Sequence, residues 1–270
     1  MKQMAKGLRT PKGPASPPYT NGPYEMSEAI VLNDPVIEGS DRYVLVANFE
    51  QLPQLSATCD AVYTTEAARN TLLDFEILGT SAADAGCTHG TTVAGLTLTT
   101  AGADNDQLIV LPHLDTAQSA WGTTLWGTEN VVTWEAVIKT DSAILTTLIW
   151  AGLKKTNTEV IATDSEQAFF RFSTDDADTN WRCIASIGGV DVNQDSGVLV
   201  EASKIYYFRI EIDASRQAHF FIDNKEVYRS EAITNDVDFI PYVGIMALAG
   251  AARSMWLAKE KISRYIYEKS

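Results

Sequence analysis

Apolar and polar residues alternate with period two through most of the chain beyond residue 93. In Val131–Lys139, Val132, Trp134, Ala136 and Ile138 share one face, opposite Thr133, Glu135 and Lys139. In Ile205–Asp213, Tyr206, Phe208, Ile210 and Ile212 face one way, and Tyr207, Arg209, Glu211 and Asp213 the other. This alternation predicts strands with one face in a core and one toward water. The same reading predicts strands over Val93–Thr99, Gln107–Leu111, Leu145–Leu153, Gln167–Ser173, Trp181–Ile187, Ala218–Ile222, Glu226–Arg229, Tyr242–Ala249 and Ser254–Glu260. Upstream, Tyr43–Ala47 and Leu73–Leu78 read as strands, Glu66–Leu73 has modest helical character, and Thr80–Thr91 reads as loop. Asp223-Asn224 tolerate positive φ and predict a tight hairpin. Beyond Pro53 the only prolines are Pro112 and Pro241, both near strand ends, where proline is tolerated. No Gly-rich βα unit interrupts the strands. The expected fold is all-β, an antiparallel β-sandwich.

The first 24 residues break this pattern. Pro11, Pro14, Pro17, Pro18 and Pro23 lie there with Gly7, Gly13 and Gly22, and no apolar period runs through them. They predict an extended N-terminal arm, partly polyproline II. The organisation expected is therefore an arm (1–24), a transitional segment of short strands and loop (25–92) and the sandwich (93–270, or from about residue 73).

Charge sharpens the division. The chain has 270 residues and a formal net charge of -14. Residues 1–12 carry Lys2, Lys6, Arg9 and Lys12 and no acid, leaving 17 basic and 35 acidic groups in residues 13–270. A basic tip on an acidic body argues against coating nucleic acid, which needs clustered cations. No run approaches the ~20 apolar residues of a membrane span. The N-terminus lacks the apolar stretch of a secretory signal. Cys59, Cys87 and Cys183, an odd number at irregular spacing, fit reduced thiols in a protein folded in cytoplasm.

The segment Tyr206–Ser230 (YYFRIEIDASRQAHFFIDNKEVYRS) resembles the late strands of concanavalin A-like (laminin-G-like) jelly rolls, with Pro241–Ile245 as the next sheet strand. GLTLTTAGADNDQLIVLPHLD from Gly95 and TTLIWAGLKKTN from Thr146 resemble segments of virion structural proteins of tailed phages, marine ones especially. The resemblance spans roughly residues 73–264 and contains no catalytic motif. It implies a jelly-roll virion protein, folded in the host cytoplasm before assembly. The leading expectation is a capsid decoration or cement protein, a homo-oligomer held on the major capsid protein or neighbouring virion subunits by its arm. Lys2, Lys6, Arg9, Lys12, Pro17, Pro18, Tyr19 and Tyr24 are then the partner-binding residues.

Two other function classes compete. In a tail-fibre or head-fibre adhesin, Trp121 and Trp126 of the Gly/Thr-rich stretch AWGTTLWGTEN would stack on host surface glycan. In a glycan-cleaving enzyme, Glu211 and Asp213 would match the first two acids of the retaining β-glucanases. The third acid's place is Ser215 or Arg216, so nothing protonates the leaving oxygen, and no catalytic residue is assigned. The cysteines and His89, His113 and His219 lack the paired spacing of a zinc site. The acidic stretches Ala103–Asp106 and Ser173–Thr179 are expected as solvated loops, with bound calcium as the alternative. No metal or cofactor is expected.

Overall fold

The computed structural model describes residues 36–38, 41–49, 55–56, 75–89, 94–112, 125–156 and 164–266. Two sheets pack face to face. The first has β1 (Val36–Glu38), β2 (Arg42–Ala47), β17 (Ser254–Tyr265), β8 (Thr133–Thr140), β13 (Ile205–Ile212), β14 (Gln217–Ile222) and β15 (Lys225–Ala232) in that order. β6 (Leu96–Thr99) joins it on β17 and carries β5 (Cys87–His89). The second runs β12 (Val190–Leu199), β11 (Asn180–Ile187), β10 (Gln167–Ser173), β9 (Thr147–Lys154), β16 (Ile240–Ala247), β7 (Gln107–Pro112), β4 (Phe75–Leu78), β3 (Leu55–Ser56). All pairs are antiparallel except β3 with β4. The result is the expected all-β jelly-roll sandwich.

Side-chain alternation places the core between the sheets. Trp134, Ala136 and Ile138 of β8 and Tyr206, Phe208, Ile210 and Ile212 of β13 are fully buried. From the other sheet, Phe170 stacks on Phe208 at 4.6 Å and meets Phe220 edge-on at 5.3 Å, while Trp181 meets Phe208 at 4.8 Å. Such pairs add about 0.5–1.5 kcal/mol each beyond the area they bury. The hairpin between β14 and β15 turns at Asp223 (φ 50°) and Asn224 (φ 64°), the left-handed pair its residues predicted.

Four details differ from the sequence reading. β12 is a strand that the alternation does not predict. A short strand, β5, lies inside Thr80–Thr91. Tyr207, on the face read as wet, is buried, because its hydroxyl bonds to the Glu135 carboxylate, which also pairs with Lys261 at 3.1 Å. Trp126, which the adhesin reading sets against glycan, is fully buried. The arm (1–24), with all its proposed contact residues, and the helix-like stretch 66–73 lie outside the described residues. Among the described residues no helix is long and apolar enough to cross a membrane.

Candidate functional site

A recess lies on the outer face of the eight-stranded sheet. Cross-strand register aligns Arg171 of β10 with Arg182 of β11, and Arg182 with Asp195 of β12. Their neighbours Phe170, Phe172 and Cys183 point into the core, so strand alternation sends this row outward. The turn after β10 folds back over the row. The Ser173 N–H donates to Asp178 Oδ2 at 3.0 Å, and Ala177 takes a left-handed φ of 56°. Asp176 and Asp178 are thereby brought onto Arg171, at 3.0 and 3.2 Å.

The groups form an alternating chain of charge: Asp176, Arg171, Asp178, Arg182, Asp195. Arg182 Nη1 meets Asp195 Oδ2 at 3.0 Å, and its Nε donates to Asn193 Oδ1 at 2.8 Å. Asp195 is further held by Asn180 Nδ2 at 3.0 Å and the Gly197 N–H at 2.7 Å. Arg171, Asp176, Asp178, Arg182, Asn193 and Asp195 line a cleft of about 300 Å³, and none of its lining side chains is aromatic. Asp178 and Asp195 diverge electrostatically. Burial pushes the Asp178 carboxyl up, beyond what Arg171, the Ser173 N–H and Arg182 pull back. The Gly197 N–H and Asn180 hold Asp195 below the ordinary carboxylate range.

The same sheet face continues inward from Arg171 to Trp150, its neighbour on β9, and then to Gly244 on β16. Trp150 lies over Gly244 and stacks near Tyr242, with centroids 6.3 Å apart. Lys154 sits over the Tyr242 ring at 4.6 Å and 3.8 Å from Asp164. Burial lowers its pKa to about 8, against the opposing pull of Asp164. This strip is closed to solvent, since Trp150, Tyr242 and Lys154 are each at most 1% exposed.

The residues singled out from sequence fall elsewhere. Trp126 packs in the core because its carbonyl accepts from the Phe239 N–H at 3.0 Å and Gly127 bridges to Asp238. A fully enclosed indole has no face for a sugar, so that assignment is corrected. Trp121 lies outside the described residues. Glu211 and Asp213 are on the nine-stranded sheet, away from the cleft. Glu211 pairs with Arg209 at 3.1 Å. Asp213 caps the turn to β14: its Oδ1 accepts from the Ser215 and Gln217 N–H groups at 2.8 and 2.9 Å, and its Oδ2 lies 3.1 Å from His219 Nε2. Burial raises the Asp213 pKa, but the bonds from Gln217, His219 and Ser215 outweigh it and leave it depressed. The acidic stretch Ala103–Asp106 is also a turn, closed by the Ala103 N–H on Asp106 at 2.6 Å. Cys87 and Cys183 are buried. Among the described residues no three His, Cys, Asp or Glu side chains are grouped to hold a metal ion.

No protein-family model matches the chain, and no curated protein matches its sequence. Solved structures do resemble it. A protein of unknown function from Shewanella oneidensis MR-1 superposes with a TM-score of 0.54 at 9% identity, covering 88% of this chain and 92% of that one. A structure from work on endo-acting O-glycanases of the human gut microbiota gives 0.54 at 7% identity, covering 81% and 97%. Alginate lyase A1-II′, of polysaccharide lyase family 7, gives 0.50 at 12% identity, covering 68% and 85%. Likeness at these identities establishes the concanavalin A-like jelly-roll class, and the class does not fix an activity.

Proposed function

We propose that the protein is a non-enzymatic carbohydrate-binding module, of the kind an adhesin presents, and that saccharide occupies the cleft at Arg171, Asp178, Arg182, Asn193 and Asp195. The observation that carries this reading is the cleft itself. Sugar hydroxyls donate and accept at once, and they suit a surface that alternates carboxylate, guanidinium and amide at hydrogen-bonding distance. Each charge in the cleft has an opposite neighbour, so a neutral ligand leaves no charge uncompensated. Glu211 and Asp213, the acids that a hydrolytic reading needs, are engaged in an ion pair and a turn cap on the other sheet.

Capsid decoration, the leading expectation from sequence, rests on residues 1–24, which lie outside the described residues. The adhesin reading is preferred because the cleft gives it a polar site. The test is binding to an oligosaccharide panel by calorimetry, comparing the unaltered chain with Asn193→Ala. Asn193 is exposed on β12, so its loss leaves the core intact. Loss of one well-placed hydrogen-bonding group is expected to weaken binding about tenfold. No binding across neutral and acidic oligosaccharides, or unchanged affinity in Asn193→Ala, overturns the reading. Trp126→Ala is no test of a sugar site, because it empties a core position.

A further inference from the structure

The two sheets end in very different edges. β1 and β3 are three and two residues long. β15 carries Lys225 and Arg229 and breaks register against β14 twice. Short, cationic or bulged strands are how natural sheets keep their edges from pairing. β12 is different. It is ten residues long, has no lysine, arginine or proline, and is exposed along nearly its whole length. Residues 190–195 pair one-to-one with 187–182, and only beyond Asp195 does the register shift. Among the described residues that leaves about 20 Å of regular, unpaired edge. Val190 and Val192, on its core-side face, are 68% and 39% exposed.

We propose that this edge pairs antiparallel with the β12 edge of a second copy of the chain, about a two-fold axis centred on Val192. A two-fold perpendicular to the sheet pairs residues of equal parity, so the axis passes through a residue. Centred on Asp191, it opposes that carboxylate to itself. Centred on Asn193, it opposes Asp191 to the partner's Asp195. Like charges directly opposite destabilise a pair. Centred on Gln194, it requires the irregular residues beyond Asp195, and centred on Val190 it reaches into the Gly188-Gly189 turn. Centred on Val192, it sets Val192 against the partner's Val192 and Asp191 against the partner's Asn193, twice over. Val190 then lies across from the partner's Gln194. No charge is opposed, acid meets amide, and the exposed valines close over the rim of the core.

Such a dimer joins two eight-stranded sheets into one. A two-fold perpendicular to the sheet keeps both outer faces on the same side, so the two clefts open in the same direction, with the partner's Asp191 beside Asn193 at the cleft wall. The proposal goes beyond the saccharide reading, and glycan binding by a monomer would leave that reading intact while removing this one.

The test is sedimentation of the full chain over a micromolar concentration series. The expected species has twice the 29.5 kDa chain mass. Val192→Lys changes an exposed side chain and is expected to move the dimer midpoint to at least about tenfold higher concentration. Val192→Cys is expected to give a covalent dimer on mild oxidation, since cross-strand Cα atoms lie about 4.5–5.5 Å apart, within disulfide range. Val190→Cys is the control, because its counterpart is about 13 Å away along the strand. A monomer throughout, a dimer indifferent to Val192→Lys, or equal cross-linking of the two cysteine variants overturns the proposal.

Discussion

Glu260 is fully buried, between the sheets rather than at their rim. It arrives there because β17 carries a bulge between Leu257 and Lys259, which turns Glu260 inward after Met255 and Leu257. One carboxyl oxygen accepts from Trp134 Nε1 at 2.9 Å, and the other has no partner. Burial raises its pKa from 4.5 to about 7, the Trp134 bond opposing only in part. The folded chain keeps a proton that the unfolded chain releases. This contribution is therefore complete below pH 4.5, falls as pH rises toward about 7, and is flat above. The 4.5-to-7 interval corresponds to a loss on the order of 3 kcal/mol. Glu260→Gln keeps an acceptor for Trp134 and cannot ionise. Urea unfolding across pH 4–8 is expected to show the variant gaining on the unaltered protein as pH rises, with the two curves parallel above neutrality.

At the level of single elements, β16 depends on the absence of a side chain. A Cβ at Gly244 would stand 2.8 Å from Trp150 Cζ2 and 2.9 Å from Ile109 Cγ1, both in buried side chains. Gly244→Ala is expected to cost about 1–3 kcal/mol by overpacking and to lower Tm by about 3–10 °C in a thermal scan. Elements of this kind were legible in the sequence wherever one face was apolar. The alternation predicts Gln167–Ser173 to the residue, and β8, β13 and β14 to within a residue or two, because their inward positions are uniformly apolar. β12 escaped the same reading. VDVNQDSGVL has the composition of a turn, and its strand form is imposed by pairing with β11. The cleft escaped for a related reason. Its acidic turn was visible as a local cluster, but Arg171, Arg182 and Asp195 converge only through cross-strand register, which single-strand patterns do not encode. Trp126 misled because flanking glycine and threonine resemble an exposed loop, while its backbone is tied to Phe239.

For the molecule as a whole, β17 holds the nine-stranded sheet together. It pairs with β8 over Met255–Ser263 along one side, and on the other with β6 over Ser254–Leu257 and with β2 over Glu260–Tyr265. Truncation before Ser254 strips Met255, Leu257 and Ile262, all fully buried, from the core and leaves β2 and β8 as raw edges. The truncated chain is expected to lose its β-sheet circular dichroism signal and its resistance to limited proteolysis, whereas removal of residues 1–24 takes away none of the described strands.

That position of β17 carries a consequence for biosynthesis. Synthesis proceeds from β1 to β17, so β2, β6 and β8 leave the ribosome well before the strand that unites them. Until β17 emerges, β2, β6 and β8 each lack the neighbour that it supplies on one side. The sandwich therefore closes late, in one step spanning most of its length, and the waiting strands are natural clients for a chaperone.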